Sequence, residues 1–228
     1  MEKTRVNLYI SCMDRRLNEI SESHNDGNTV FLRNAGANAS ALKKTIKEIK
    51  GRFDLGRVVI APHSDCGAMK VIYTSIKEGK ETSSEIYKSL VRQFENAKFS
   101  SIQELEQINA EVQKKSLEKI VGKDASEEFI DLERISIPKE KSEHVLIVLA
   151  PSKTKYSSIF ARLGLDPYST YVIQGSQSEI GADIEIAIRH LFIKKVYVLS
   201  DEGEVSFDAQ KVFDSIKERY AEADVKLV

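Results

Sequence analysis

The chain has 228 residues, with 34 Lys+Arg against 35 Asp+Glu, 41% hydrophobic residues, two cysteines, four histidines and no tryptophan. This length buries a real core, as one large domain or two small ones, and a formal charge of −1 argues against a general nucleic-acid binder, which carries a basic excess or stripe. No apolar run approaches the roughly 18 residues of a membrane span, the opening MEKTRVNLYI does not read as a signal peptide, and two cysteines make no disulfide framework, so a reducing, cytoplasmic setting is expected.

In chain order the sequence alternates strands and helices. Val6 to Ser11 is a β-rich run ending just before Cys12, and Thr29 to Leu32 is a second short strand. Asn38 to Lys50 has apolar residues at helical spacing, namely Ala41, Leu42, Ile46 and Ile49. Val58 to Ala61 reads as a strand buried on both faces, and Cys66 to Glu78 as a helix with Met69, Ile72 and Ile76 on one side. From about 80 to 135 the chain is polar, charged and helical. Thr82 with Glu85 and Ser101 with Glu104 fit capping boxes. Ile102, Leu105, Ile108 and Val112 form an apolar stripe, with Gly122 as a helix stop. The charge of this region reads as the solvated face of amphipathic helices. The α/β pattern then returns, with strands at Val145–Leu149, Tyr171–Ile173, Val196–Leu199 and Val225–Val228. Between them lie helices at Tyr156–Leu163, Ile180–Phe192 and Phe207–Tyr220. Such alternation predicts an α/β fold with a mostly parallel sheet flanked by helices. No glycine-rich dinucleotide or phosphate loop is present.

The two ends of the chain resemble each other. VNLYIS ahead of Cys12 resembles VLIVLA at 145–150, FLRNAGA at 31–37 resembles YVIQGSQ at 171–177, and RVVIAPH at 57–63 resembles KVYVLSD at 195–201. Any α/β protein repeats strand–helix–strand, yet the order here is the same in both places. The division expected is 1–79, a helical connector over 80–143, and 144–228 as a degenerate copy without metal ligands. Cys12 then falls on Ala150 or Pro151, His63 on Asp201 and Cys66 on Glu204.

Three strands of the first part end in residues that carry chemistry: Cys12-Met13-Asp14-Arg15-Arg16, Arg33-Asn34-Ala35-Gly36, and His63-Ser64-Asp65-Cys66-Gly67. In an open parallel sheet such ends converge on one edge, where ligand sites form. A lone cysteine is most often a small buried apolar residue, and in a reducing compartment it is otherwise a metal ligand or a nucleophile. Two thiolates and one imidazole together suit zinc, and three protein ligands leave a fourth position open, as in catalytic sites. His63 and Cys66 are spaced to reach one ion across a turn, and Cys66 lies near a helix start that favours its thiolate.

Cys-x-Asp-x-Arg, Arg-Asn-Ala-Gly and His-x-x-Cys-Gly, in this order over residues 5 to about 75, resemble the β-class carbonic anhydrases. The resemblance implies zinc ligation by Cys12, His63 and Cys66, with an Asp14–Arg16 pair beside the metal. It also implies a lyase activity, carbonate dehydratase: zinc-bound hydroxide attacks carbon dioxide and gives bicarbonate, with Asp14 orienting the hydroxide and Arg16 holding Asp14 ionised. Carbon disulfide and carbonyl sulfide hydrolases share this fold and motif, so a sulfur analogue is an alternative substrate. A non-catalytic zinc scaffold is a second alternative, against which the Asp14–Arg16 pair argues. The sequence departs from the family in Arg15, where serine is common, and in having eleven residues before Cys12, where members usually carry a helical arm embracing a dimer partner. It also lacks an identifiable pocket glutamine and is long after about 145. The family builds its cleft between two protomers, so either a homodimer or a single-chain pseudo-dimer with one zinc per chain is expected.

Overall fold

The apolar run ahead of Cys12 forms β1 (Arg5–Cys12) in the computed structural model, which describes residues 3–228. The chain then makes a 3₁₀ turn at Arg15–Leu17, α1 (Asn18–Ser23), β2 (Thr29–Asn34), α2 (Lys43–Arg52), β3 (Asp54–Ala61) and α3 (Gly67–Glu78). The connector holds α4 (Ser84–Ser89), α5 (Ile102–Val121) and the two-residue β4 (Ser126–Glu127). The last part runs β5 (Val145–Leu149), α6 (Tyr156–Leu163), β6 (Thr170–Gln174), α7 (Gly181–Glu185), β7 (Lys195–Val198), α8 (Ala209–Arg219) and β8 (Asp224–Leu227). Among the described residues no helix is long and apolar enough to cross a membrane.

All eight strands join one sheet in the order β4-β3-β1-β2-β6-β5-β7-β8. The α/β class with a mostly parallel sheet is therefore as the alternation predicts. β1 lies between β2 and β3, parallel to both, and β5 lies likewise between β6 and β7. The two groups meet where β2 and β6 run antiparallel, with Arg33 opposite Gln174. Read outward from this junction, the strand order is 2-1-3-4 on one side and 6-5-7-8 on the other. Two reciprocal backbone bonds flank it: Phe31 N–H donates to Ser152 O (3.0 Å), and Val172 N–H to Met13 O (3.1 Å). Ser11 pairs with Ala61 and Val148 with Val198, the same separation of 50 residues. Cys12 pairs with Asn34 and Leu149 with Gln174. If Asn34 and Gln174 correspond, this register puts Leu149 in the place of Cys12, one or two residues earlier than the sequence alignment suggests, and Ser200 in that of His63, one residue earlier.

Side chains alternate across β1. Val6, Leu8 and Ile10 face a core shared with Ile46 and Ile49 of α2 and Leu117 and Val121 of α5. Tyr9 faces the other core, which runs on beneath the last four strands, and Cys12, at the end of the strand where the alternation stops, joins that core as well. α5 packs on both α2 and α3, and its buried face is not the apolar stripe expected. Leu105 is buried with Asn109, Gln113, Leu117 and Val121, while Ile102, Ile108 and Val112 lie at the margin. Polar residues turn inward here because they have partners: Asn109 Nδ2 donates to Gly36 O (2.9 Å) and Gln113 Nε2 to Gln93 Oε1 (3.0 Å).

The caps differ in part from those expected. Ser101 Oγ accepts the Glu104 amide (3.2 Å), but Glu104 returns to Ser100 N (2.7 Å) rather than to Ser101. Ser83, not Thr82, caps α4 by accepting from Ile86 N (3.2 Å), and Glu85 pairs instead with Arg219. Gly122 ends α5 in the left-handed conformation (φ 74°), as expected. The helix expected over Ile180–Phe192 changes after Glu185 into a π-helical stretch at Ile186–His190. A widened turn of this kind adds a residue to the helix, and the chain leaves it through Phe192 at φ 57° with its side chain 78% exposed.

Candidate metal centre

The three strand ends converge as the topology requires. Cys12 is the last residue of β1, His63 follows β3, and Cys66 is the N-cap of α3. All three are buried, and their donor atoms lie within 4.8 Å of one another. The sulfurs are 3.9 Å apart. Two sulfurs each ~2.3 Å from one tetrahedral ion would be about 3.8 Å apart, whereas a disulfide needs ~2.05 Å. His63 Nδ1 lies 2.7 Å from the Ser64 carbonyl oxygen. A carbonyl only accepts, so Nδ1 carries the proton and Nε2 keeps its lone pair. That Nε2 is buried without a hydrogen-bond partner among the described residues. A fixed tautomer, an orphaned nitrogen and two sulfurs at ligand spacing fit a zinc ion.

Electrostatics favour a thiolate at this place. The hydrogen bond from Cys66 draws the Cys12 thiol well below its ordinary range against the effect of burial. Gly36 N–H also points at Cys12 Sγ (3.4 Å). Cys66 sits at the start of a 12-residue helix, whose positive end favours negative charge, but its hydrogen bond to Cys12 and its burial push its own thiol well above the ordinary range, so the pair carries one thiolate, on Cys12. The Cys66 amide donates to Glu106 Oε1 (2.9 Å), a buried carboxylate of the connector.

Asp14 caps the turn at Arg15–Leu17, accepting the Arg16 amide at 2.9 Å. Arg16 returns a two-pronged bond, Nε to Oδ1 (2.9 Å) and Nη2 to Oδ2 (2.7 Å). Burial pushes the Asp14 carboxyl up, but the Arg16 hydrogen bonds and the Arg16 charge outweigh it and leave the pKa at about 2. Arg16 is held from its far side by Asp65, through Oδ2 (2.6 Å) and the carbonyl (2.9 Å), and Asp65 pairs with Lys70. Arg15 turns away from Asp14 to Tyr168 O (2.5 Å) and Glu140 (2.9 Å).

Cys12, Asp14 and Arg16 open onto a cavity of about 220 Å³. Two of its other walls, Tyr171 and Leu191, come from the last part of the chain. Nothing in the sequence marked them, because both sit in ordinary apolar runs. The Arg33–Gly36 loop does not line this cavity; it acts from behind. Arg33 is completely buried, and its Nε holds Cys12 O (2.9 Å) and its Nη2 Asp14 O (2.7 Å), while Nη1 bonds Asn18 Oδ1. Its guanidinium lies 5.3 Å from the centre of the Tyr156 ring. Replacing Arg33 with Met leaves two buried acceptors, Cys12 O and Asn18 Oδ1, without this donor, at ~1–3 kcal/mol each, while Asp14 O keeps only the Leu17 amide (3.0 Å). We expect Arg33→Met to lower the free energy of unfolding by at least about 2 kcal/mol in urea denaturation, and Arg33→Lys to recover only part of it, because one ammonium cannot replace the fork.

Comparison with curated proteins gives no significant match. Among solved structures, a carbonic anhydrase from Glaciozyma antarctica is similar, with 17% identity and a TM-score of 0.39 over 59% of this chain and 80% of that one. The family model described as carbonic anhydrase matches residues 7–144, more than half of the chain; with the motifs at Cys12, Arg33 and His63, the chain belongs to the carbonic anhydrase family, in its β-class.

Proposed function

We propose that this protein hydrates carbon dioxide reversibly to bicarbonate, with one zinc ion per chain held by Cys12, His63 and Cys66. When bound, zinc acts as a Lewis acid that brings the pKa of a coordinated water toward neutrality. The protein's own residues do the rest. Asp14 is ionised and acceptor-only at neutral pH, so it takes the hydrogen bond of the nucleophile and fixes its direction. Arg16 occupies both carboxylate oxygens from one side and keeps Asp14 from swinging onto the metal. Tyr171 and Leu191 close a small cavity that suits a short, linear, uncharged substrate. The observation that carries this reading is the opening of Cys12 and the Asp14–Arg16 pair onto one cavity, beside an orphaned His63 Nε2. A structural zinc site has no use for that pair.

Residues 144–228 serve, in this reading, as the built-in partner that relatives recruit from a second protomer. The mirrored strand order and the reciprocal bonds at the β2–β6 junction support it. A cytoplasmic setting suits two reduced thiols. The test is stopped-flow hydration of carbon dioxide on zinc-loaded protein, beside hydrolysis of carbonyl sulfide and carbon disulfide. Hydration faster than either hydrolysis is expected; turnover of the sulfur compounds alone reassigns the substrate, and turnover of none removes the enzymatic reading.

A further inference from the structure

We propose that Asp183 is a positioning residue for the Cys12 sulfur, acting from the last part of the chain through the Ala35–Gly36 turn. Asp183 is 1% exposed, on α7. Its Oδ1 accepts the amide of Ala35 (2.9 Å), and the next amide, that of Gly36, points at Cys12 Sγ. Two successive N–H groups are thus divided between a carboxylate of the second half and a ligand of the first. The turn they belong to has little freedom. Gly36 sits at φ 73°, a Cβ there would meet Met69 Cε at 2.9 Å, and its carbonyl is held by Asn109. Asp183 sets the remaining direction, the tilt of the Ala35 peptide, and with it the aim of the Gly36 amide.

Stability does not explain why a carboxyl stands at this place. Asp183 Oδ2 is buried with no partner, and burial pushes the group up to about 8 against the pull of the Ala35 hydrogen bond. A buried carboxyl with one hydrogen bond costs more than an apolar residue would. Glu179, four residues earlier, gives the contrast. It accepts from Lys44 N (2.6 Å), Thr45 N (3.0 Å) and Ser176 Oγ (2.8 Å), and so caps α2 without touching the Ala35 turn. Two acidic side chains of one segment therefore reach into the first half, one to a helix end and one to the Ala35 amide, next to the amide that faces Cys12.

An N–H···S bond withdraws charge from a thiolate, so the sulfur gives less to the ion and the ion stays more acidic. Losing the aim of Gly36 N–H makes Cys12 a stronger donor that is easier to oxidise. The probe is cobalt(II) alone, added to the full-length apoprotein, read by its thiolate-to-cobalt charge-transfer band and by its affinity. Asp183→Ala is expected to move the band to longer wavelength, because the sulfur is a stronger donor, and to weaken cobalt binding by about tenfold, because the loosened turn no longer holds that sulfur oriented for the ion. Asp183→Asn, which keeps the acceptor facing Ala35, should restore both. Glu179→Ala should lower the melting temperature and leave the band in place, which a merely structural role for Asp183 would also do. A band and affinity unchanged in Asp183→Ala overturn the proposal, as does Asp183→Asn behaving like the alanine variant. If Asp183→Ala does not fold, Asp183→Glu, which keeps the carboxyl group and displaces it by one methylene, takes its place under the same criterion. A wild-type protein with no thiolate band sinks the metal centre and this proposal together; a wild-type band that the variants do not move sinks the proposal alone.

Discussion

Asp14→Asn keeps the bound metal and lowers the rate of carbon dioxide hydration by about a hundredfold or more, the span attached to a positioned proton-handling group. The carboxylate offers two oxygens to Arg16, at 2.9 and 2.7 Å. An amide offers one, and its NH₂ group faces Arg16 donors on the other side. The side chain must turn or shift, and the acceptor that orients the nucleophile is lost or misplaced. Cys12, His63 and Cys66 are untouched, so metal content should equal that of the parent. Zinc analysis and stopped-flow rates on one sample separate the two effects. The Asp14 pKa of about 2, depressed from its ordinary 3.8, also fixes a pH range. A depressed folded-state value adds stability that is fully present above about pH 4 and is lost as pH falls toward 2. Any inflection of the rate above pH 4 therefore belongs to another group.

A chain ended after residue 143 does not fold. The cut removes β6, so β2 becomes an open edge at Arg33, and Phe31 N–H loses Ser152 O. α2 loses its Glu179 cap and the Ala35 turn loses Asp183. The apolar face carrying Tyr9 and Phe31 loses the core it shares with Tyr156, Ile173 and Ile180, and each large side chain left in water forfeits ~1.5–3 kcal/mol. Against total stabilities of ~5–15 kcal/mol, this is decisive. The truncated chain should show no cooperative thermal transition and no tight cobalt binding. A cooperative transition with one tightly held metal would mean that the first part is self-sufficient and the built-in partner is dispensable.

How much of this was legible in the sequence follows from the range of the interactions. The cluster of Cys12, His63 and Cys66 was legible because thiol and imidazole are scarce here, and all three stand at or soon after the end of a β-rich run. The central strands were legible because a strand buried on both faces reads as an unbroken apolar run; β5 was found to the residue. Contacts between distant segments were not. Asp183 looks like an ordinary acidic residue near a helix start, and only the fold brings it to Ala35, 148 residues away. Arg33 stood inside a quoted motif, but its burial under Cys12 and Asp14 has no sequence signature, since arginine usually stays at the surface. Asn109 and Gln113 defeated the apolar stripe of α5 for the same reason: polar residues face inward when a distant partner meets them. The shift from Thr82 to Ser83 is a choice between two adjacent capping residues that packing decides, not propensity.

The central claim is that this chain, although built of two similar strand groups, carries one metal centre made by Cys12, His63 and Cys66. Zinc content per chain after saturation and dialysis, measured on the parent and on Cys66→Ser, tests it most directly. The account predicts one zinc per parent chain and almost none in the variant. Two zinc ions per parent chain, or a full complement in Cys66→Ser, would contradict it.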